Sequence, residues 1–244
     1  MIKGRRAFIV GLKGLKLSKN EVNFLKKYKP WGIILFSRNI STIHQLKNLC
    51  ISIRKIFFDK KYPILIDEEG GQVSRLNKIL LSTSFSGEYF GKIYQKDKKN
   101  FEKYLEIYIN QISFLLRDLG ININNVPVLD LRRNCSEIIV GNRAFSNNKN
   151  IVSNIGKLFI KKFHENKIAT VIKHIPGHGL SKVDSHFKMP VISNNLSYLI
   201  KNDFFPFKNQ NSLFAMTAHI VFKNIDKFYT VTHSKKVISI IRKK

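Results

Sequence analysis

The first group of residues that could do chemistry is an acidic turn, in which Asp67, Glu68 and Glu69 precede two glycines and Arg75 follows. Glycine allows a tight turn and a close approach of the backbone. An arginine can form paired hydrogen bonds to a carboxylate or to a ligand oxygen. Two interpretations stay open for this segment: a polar binding site, and a surface turn closed by an internal ion pair.

The second group places five candidate residues within fourteen positions: Lys173, His174, His178, Asp184 and His186. Histidine and aspartate are common metal ligands, so a metal-dependent hydrolase that uses His174, His178 and His186 is one interpretation. Acid/base chemistry is another, in which Asp184 orients His186 and raises its pKa, so that this histidine exchanges protons near neutral pH. Loop histidines without a chemical role are the third.

Arg143 and His219 are further candidates outside these two groups. Arg143 lies in the loop 140–146, where a lone arginine is usually solvated but can also reach a ligand. His219 ends the sixth predicted strand, where it can either contact a ligand or cap the mouth of a barrel.

Strands and helices alternate along the chain and must position these residues. Short apolar runs predict six strands, at 7–12, 31–36, 63–67, 123–129, 169–174 and 213–220. Apolar residues at helical spacing predict helices at 18–28, 41–57, 101–119, 151–164 and 234–244. The pair Ser18 and Glu21 predicts a capping box at the start of the first helix, and Gly120 fits the position after the third.

This alternation predicts parallel strands covered by helices, in either a doubly wound sheet or a (β/α)₈ barrel. The first strand runs into Gly11-Leu-Lys-Gly14, which does not match the dinucleotide-binding fingerprint GxGxxG. Candidate polar residues instead follow several different strands, as in a barrel whose site forms from the loops at one mouth. We therefore predict an α/β fold of the TIM (β/α)₈-barrel type with about six of eight units, as one domain over residues 1–244 that is incomplete at its C-terminus.

The composition of the chain limits its function class. Apolar residues make up 43% of the 244, which is enough for a sizeable core, and the formal net charge is +27. Lysine is spread along the whole chain beside abundant isoleucine and asparagine, so we interpret the charge as a solvated surface, with nucleic-acid binding only as a nonspecific side effect. Neither a signal peptide nor a membrane span is expected, and Cys50 and Cys135 form no metal-ligand pattern, which favours a cytoplasmic protein.

Taken together, these motifs resemble bacterial family-3 glycoside hydrolases, specifically the cytoplasmic β-N-acetylhexosaminidases of peptidoglycan recycling. The similar segments occur in the family's order and cover essentially the whole chain. They are the segments 31–39 (with Ser37-Arg38-Asn39), 66–75, 127–130, 141–143, 173–179 (Lys-His-Ile-Pro-Gly-His-Gly), 184–186 (Asp-Ser-His) and 218–219.

The resemblance implies a site and a reaction: removal of terminal β-linked N-acetylglucosamine from muropeptides with retention of configuration, without a cofactor or metal. His186 matches the general acid/base, and Asp184 matches its orienting partner. The residues that match the substrate-binding set are Asp67, Arg75, Arg143, Lys173 and His174, with Glu69 and His219 as secondary candidates. The implied partner is a small sugar substrate, with no specific nucleic acid and no membrane.

One departure from the family pattern concerns the nucleophile. The family places an aspartate at the end of its seventh strand, and this sequence contains no Asp or Glu after Asp226. We therefore expect this chain to lack the carboxylate nucleophile that forms the covalent intermediate of a double displacement. A non-catalytic protein that binds N-acetylglucosamine is the alternative hypothesis.

Overall fold

A computed structural model describes residues 4–136, 139–183 and 188–243. Its strands are, in chain order, β1 (Arg6–Gly11), β2 (Pro30–Leu35), β3 (Ile64–Ile66), β4 (Ile123–Asn124), β5 (Ala169–Ile175), β6 (Val191–Ile192), β7 (Phe214–Thr217) and β8 (Val221–Phe222). The six predicted strands form one parallel sheet in the order β1-β2-β3-β4-β5-β7, and β6 pairs with β8 separately. The prediction of six parallel strands is confirmed.

The helices of the described residues are α1 (Lys19–Tyr28), α2 (Ile43–Phe57), α3 (Gly87–Lys96), α4 (Lys98–Leu119), α5 (Lys149–Glu165), α6 (Leu196–Lys201) and α7 (Lys235–Arg242). The capping box of α1 is present, since Ser18 accepts from the Glu21 backbone N–H and Glu21 accepts from that of Ser18. Gly120 ends α4 in the left-handed conformation, as predicted. The sequence did not predict α3 or α6; α3 contains two glycines and α6 has only six residues.

The fourth strand is shorter than predicted. Pairing with β3 and β5 stops after Asn124, and the residues up to 129 do not continue the strand. Pro127 has no backbone N–H to give to a neighbour, which interrupts a strand at this position. Contact with β5 resumes locally, where the Leu129 N–H donates to the Lys173 carbonyl oxygen at 2.7 Å.

The sheet curls, so that strands far apart in its order meet on the concave side. Trp31 of β2 and Phe214 of β7 have ring centroids only 5.3 Å apart, although β3, β4 and β5 separate their strands in the sheet. A flat sheet with strands about 4.8 Å apart would hold those two strands about 19 Å from each other. The curvature therefore brings the carboxyl ends of the strands around one opening, as a barrel does.

The larger apolar core lies on the outer side of the sheet, where the helices pack against it, and includes Ile33, Leu116, Ile155 and Phe159. A smaller cluster, with Leu65 and Val171, fills the concave side. Among the described residues, no helix combines the length and apolar character that crossing a membrane requires.

Candidate active site

A buried lysine occupies the centre of the site. Lys173 lies in the second half of β5, is 2% exposed, and its Nζ lies 2.8 Å from Oδ1 of Asp67 and 2.6 Å from Oε1 of Glu69. Burying an ammonium group is costly unless opposite charges and hydrogen bonds compensate it. Two carboxylates from the turn after β3 provide that compensation, so the first and second sequence groups meet at one point.

Glu69 also holds Arg143, which comes from a 3₁₀ turn at Gly141–Arg143. Nε and one terminal nitrogen of Arg143 donate to the two carboxylate oxygens of Glu69, both at 2.8 Å. Burial alone would raise the pKa of Glu69, but the charges of Lys173 and Arg143 outweigh it and hold that pKa at about 2. Glu69 therefore stays ionised and fixes both cations.

Asp67 directly follows β3 and faces the same opening. Its Oδ1 accepts hydrogen bonds from Lys173 and from the Asn125 side chain at 3.1 Å, and its Oδ2 lies 3.9 Å from a terminal nitrogen of Arg75. Burial raises the pKa of Asp67. The charge of Lys173 and the hydrogen bonds from Lys173 and Asn125 lower this pKa by a larger amount, so its net shift is downward. Asp67 is thus an ionised acceptor with one oxygen held loosely.

A second carboxylate, Asp130, organises the histidines. Its Oδ2 lies 2.6 Å from Nδ1 of His174, and its Oδ1 accepts from the backbone N–H of His178 at 2.6 Å. Asp130 is fully buried, which raises its pKa, but His174 and the other donors outweigh burial and lower it. Burial lowers the pKa of His178, so this histidine is neutral at physiological pH.

Glu68, between the two site carboxylates, points away from them and stabilises the turn. It accepts from the Ser82 hydroxyl at 2.7 Å, from the backbone N–H of Arg75 at 2.8 Å, and from that of Leu76 at 2.9 Å. The three consecutive carboxylates therefore divide into two that face the site and one that holds the Arg75 segment. The acidic turn is not a surface turn, since Glu68 is 1% exposed.

Most of these groups, but not Glu68, Asn125 or Asp130, line a cavity of about 590 Å³ at the carboxyl ends of the strands. His219, which is exposed, also reaches this cavity, so one lining holds every predicted site residue that the structure describes: Asp67, Glu69, Arg75, Arg143, Lys173, His174 and His219. The other two predicted residues, Asp184 and His186, lie outside the described residues. The sequence analysis did not identify Asn125 and gave Asp130 no role. Their position after a predicted or observed strand could have pointed to the site. Their hydrogen-bond partners, Asp67 and His174, are distant in sequence.

The described residues do not form the metal site that the metal-dependent interpretation requires. In the part of the chain that the structure describes, no group of three or more His, Cys, Asp or Glu side chains is placed to hold a metal ion. His174 and His178 have ring centroids 5.7 Å apart, and Nδ1 of His174 is engaged by Asp130. The third ligand of that interpretation, His186, lies outside the described residues.

The fold and the site define a β/α-barrel domain whose polar cavity lies at the carboxyl ends of its parallel strands. The profile of the glycosyl hydrolase family 3 N-terminal domain matches residues 4–244. The chain belongs to this family.

Relatives and solved structures agree with this assignment. The chain is 30% identical to a beta-hexosaminidase of Bordetella pertussis over 223 residues, which are 89% of this chain and 62% of that protein. It is 31% identical to beta-hexosaminidase A of Pseudoalteromonas piscicida over 211 residues, 83% of this chain and 35% of that protein. The chain therefore spans about three fifths or less of these relatives.

Crystal structures of NagZ from Neisseria gonorrhoeae share the fold. The native structure superposes with a TM-score of 0.88 at 28% identity, covering 98% of this chain and 70% of that one. The structure of a NagZ complex with N-trifluoroacetyl-D-glucosamine superposes with a TM-score of 0.82 at 28% identity. This superposition covers 91% of this chain and 66% of that one. The predicted barrel-type fold is confirmed by these likenesses.

Proposed function

We propose that this chain provides the sugar-binding site of a cytoplasmic β-N-acetylhexosaminidase that removes terminal N-acetylglucosamine from peptidoglycan-derived muropeptides. The family, the beta-hexosaminidase relatives and the sugar-analogue complex of a similar structure support this proposal. So do the segments of the sequence that resemble such enzymes.

The observation that carries the proposal is the buried cluster of Lys173, Asp67 and Glu69 on the cavity wall. These ionised donors and acceptors hold one another in place before a ligand arrives. They can therefore bind hydroxyl and amide groups without a further loss of side-chain entropy. Asp67 presents a loosely held oxygen, and His174 presents the ring nitrogen opposite its bond to Asp130. Such a set of charged donors and acceptors suits a polar, uncharged ring such as a sugar.

The proposed chemistry uses His186 as general acid/base, with Asp184 as its orienting partner. A histidine near its ordinary pKa can protonate the leaving oxygen and then activate water. A retaining reaction also needs a carboxylate that attacks the sugar. We assign that step to none of the described site carboxylates, because Asp67, Glu69 and Asp130 are each committed to cations or histidine.

Calorimetric titration of the purified chain with N-acetylglucosamine tests binding, and 4-nitrophenyl β-N-acetylglucosaminide tests turnover. Asp67→Asn should lose sugar affinity by about tenfold or more, since a hydrogen bond to a charged group contributes about 1.5–3 kcal/mol. Asp118→Asn is the matched control, because Asp118 forms an exposed pair with Lys47 and neither residue lines the cavity.

Turnover that is lost in His186→Ala would support the complete proposal. Sugar binding without turnover would support the non-catalytic alternative, in which the chain only holds the sugar. Absence of binding in the unmodified chain would overturn both.

A further inference from the structure

A second cavity, of about 300 Å³, is lined by residues of α3, of α4 and of the segment before α3. Five of its lining residues are aromatic: Phe85, Tyr89, Phe90, Tyr104 and Tyr108. The ring centroids of Phe85 and Tyr108 are 5.4 Å apart, and those of Phe90 and Tyr108 are 4.9 Å apart. This aromatic cavity shares no lining residue with the polar cavity of the candidate active site.

The size and the lining of the aromatic cavity indicate the class of its ligand. Its volume lies at the lower end of the range for small-molecule sites. The chain has a net charge of +27, yet none of the described residues that line this cavity is charged. A charged ligand would lose hydration here without an opposite charge to compensate it. Phe85, Tyr89 and Tyr104 are each more than a third exposed, so their rings are open to another ring at an edge or a face.

The wall of the aromatic cavity also holds the acidic turn of the active site. Ser82 lines the cavity, and its hydroxyl donates to Glu68 at 2.7 Å. The Ser82 carbonyl oxygen accepts from the backbone N–H of Gly71 at 3.1 Å. Glu68 in turn accepts from the backbone N–H groups of Arg75 and Leu76. Ser82 therefore joins the cavity wall to the segment that carries Arg75.

Tyr108 makes a second connection between the cavity and the turn. Its ring lines the cavity, and its hydroxyl oxygen would lie only 2.9 Å from a Cβ on Gly70. Burial, together with the charges of Glu68 and Glu69, raises the pKa of Tyr108, so this hydroxyl stays protonated. A ligand packed against Ser82 and Tyr108 would therefore restrict the motion of the acidic turn.

We propose that the aromatic cavity binds a small uncharged aromatic molecule, and that its occupancy restricts the motion of the acidic turn that carries Asp67 and Arg75. A ligand that orders this turn reduces the ordering that a second ligand must still cause, so the two should favour each other. The binding site stands apart from the proposed function, whereas the effect on sugar affinity rests on it.

Indole is the probe for this site, because it is planar and uncharged. Titration calorimetry of the 244-residue chain should show saturable binding of indole. Ile107→Glu should weaken this binding about tenfold or more, because it places a carboxylate in the apolar lining. Phe114→Glu is the matched control, since Phe114 lies on the same helix and does not line the cavity. Both replaced side chains are more than half exposed, so both variants should fold.

Two results would overturn the binding site: no saturable binding of indole, or equal losses of indole affinity in Ile107→Glu and Phe114→Glu. Tryptamine, which adds an ammonium group to the same ring, tests the ligand class. It should bind more weakly than indole, because no described residue of the lining offers a carboxylate to that group. Tighter binding of tryptamine would overturn the uncharged class.

Amide hydrogen exchange, followed by NMR, measures the effect on the turn. Indole should slow exchange of the Arg75 and Leu76 backbone N–H groups, which donate to Glu68. Ser82→Ala should still bind indole but lose most of this protection, whereas Ser84→Ala, at an exposed serine, should keep it. Indole binding that leaves these two exchange rates unchanged would overturn the connection to the turn.

Titration with N-acetylglucosamine, with and without saturating indole, measures the effect on the active site. Indole should raise the sugar affinity about fivefold, the lower end of typical coupling between two sites. A sugar affinity that indole leaves unchanged would overturn the coupling while leaving the proposed function intact. Absence of sugar binding under both conditions, with indole still bound and the exchange still slowed, would overturn the proposed function alone.

Discussion

Nζ of Lys173 lies 2.6 Å from Oε1 of Glu69, and this contact joins the ends of two strands that are not neighbours in the sheet. Lys173 belongs to β5, Glu69 follows β3, and β4 runs between them. The ion pair therefore spans the carboxyl end of the central strand, in an interior where both side chains are nearly inaccessible to water. A pair of this kind is costly to break, because either partner alone would leave an uncompensated buried charge.

Lys173→Met should therefore destabilise the fold strongly. Removing the ammonium group leaves Asp67 and Glu69 facing each other with fewer cations, and breaking a buried pair on one side costs about 3–5 kcal/mol. Equilibrium unfolding in urea, followed by circular dichroism, measures this loss.

Lys47→Met is the matched control for that experiment, since Lys47 pairs with Asp118 and both side chains are more than 40% exposed. An exposed pair contributes about 0–1 kcal/mol, so the control should remain close to the unmodified chain. Equal losses of unfolding free energy in Lys173→Met and Lys47→Met would show that Lys173 has no special role in stability.

The pH dependence of stability should report Glu69. In the folded chain the pKa of Glu69 is about 2, because Lys173 and Arg143 favour its ionised form, whereas the ordinary pKa of a glutamate side chain is 4.5. Because the folded pKa is the lower one, the stabilisation is complete above about pH 4.5 and disappears as the pH falls toward 2. Its size is on the order of 3 kcal/mol.

Glu69→Gln should accordingly be less stable than the unmodified chain at neutral pH, and this difference should narrow as the pH is lowered from 4.5. Urea unfolding at a series of pH values measures it. Glu106→Gln serves as the control, because Glu106 forms a surface contact with Lys162 and is about half exposed. A difference for Glu69→Gln that stays constant between pH 7 and pH 3 would contradict the assignment.

Helix α3 positions Arg143 through its glycines. A Cβ on Gly87 would collide with the carbonyl of Arg143, and one on Gly91 would collide with the carbonyl of Phe145. Gly91→Ala should thus push α3 away from the Arg143 segment and cost about 1–3 kcal/mol, although alanine favours helices. Gly14→Ala, where a Cβ would meet no atom within 4 Å, should change stability little. A stabilising Gly91→Ala, measured by thermal unfolding, would contradict this packing.

Two simple physical rules predicted the strands and pointed to the charged residues that line the cavity. Apolar runs mark buried parallel strands, and charged residues directly after such runs are costly unless they meet partners. Neither rule finds α3, whose glycines lower its helix propensity but permit close packing against residues 143–145. Neither rule predicts that β4 ends at Asn124. This early end is an effect of the single backbone N–H that Pro127 lacks.

Contacts between distant residues were the least predictable part of the site. Asp130 and His174 are 44 residues apart, and Asn125 and Asp67 are 58 apart. Asp67, Asn125 and His174 stand at strand ends, and Asp130 directly follows the strand that the sequence predicts over 123–129, so these positions suggest the site. The particular pairing depends on the curvature of the sheet and on the turn geometry, which no local pattern of residues encodes.

Asp130 should act on the sugar through His174. Its carboxylate accepts from the His174 ring and from the His178 backbone, so it fixes the ring that faces the cavity without lining the cavity itself. Asp130→Asn removes the charge that favours this arrangement. Affinity for N-acetylglucosamine should fall by about tenfold, as expected for the loss of a charge-assisted hydrogen bond. Calorimetry on chains shown by circular dichroism to be folded measures this change.

A double-mutant cycle distinguishes this indirect role from a direct one. If Asp130 works only by orienting His174, the combination of Asp130→Asn with His174→Gln should bind the sugar no more weakly than His174→Gln alone. Two losses that simply add would instead indicate that Asp130 contributes independently of the ring. Since the two side chains touch at 2.6 Å, we expect the strongly non-additive result.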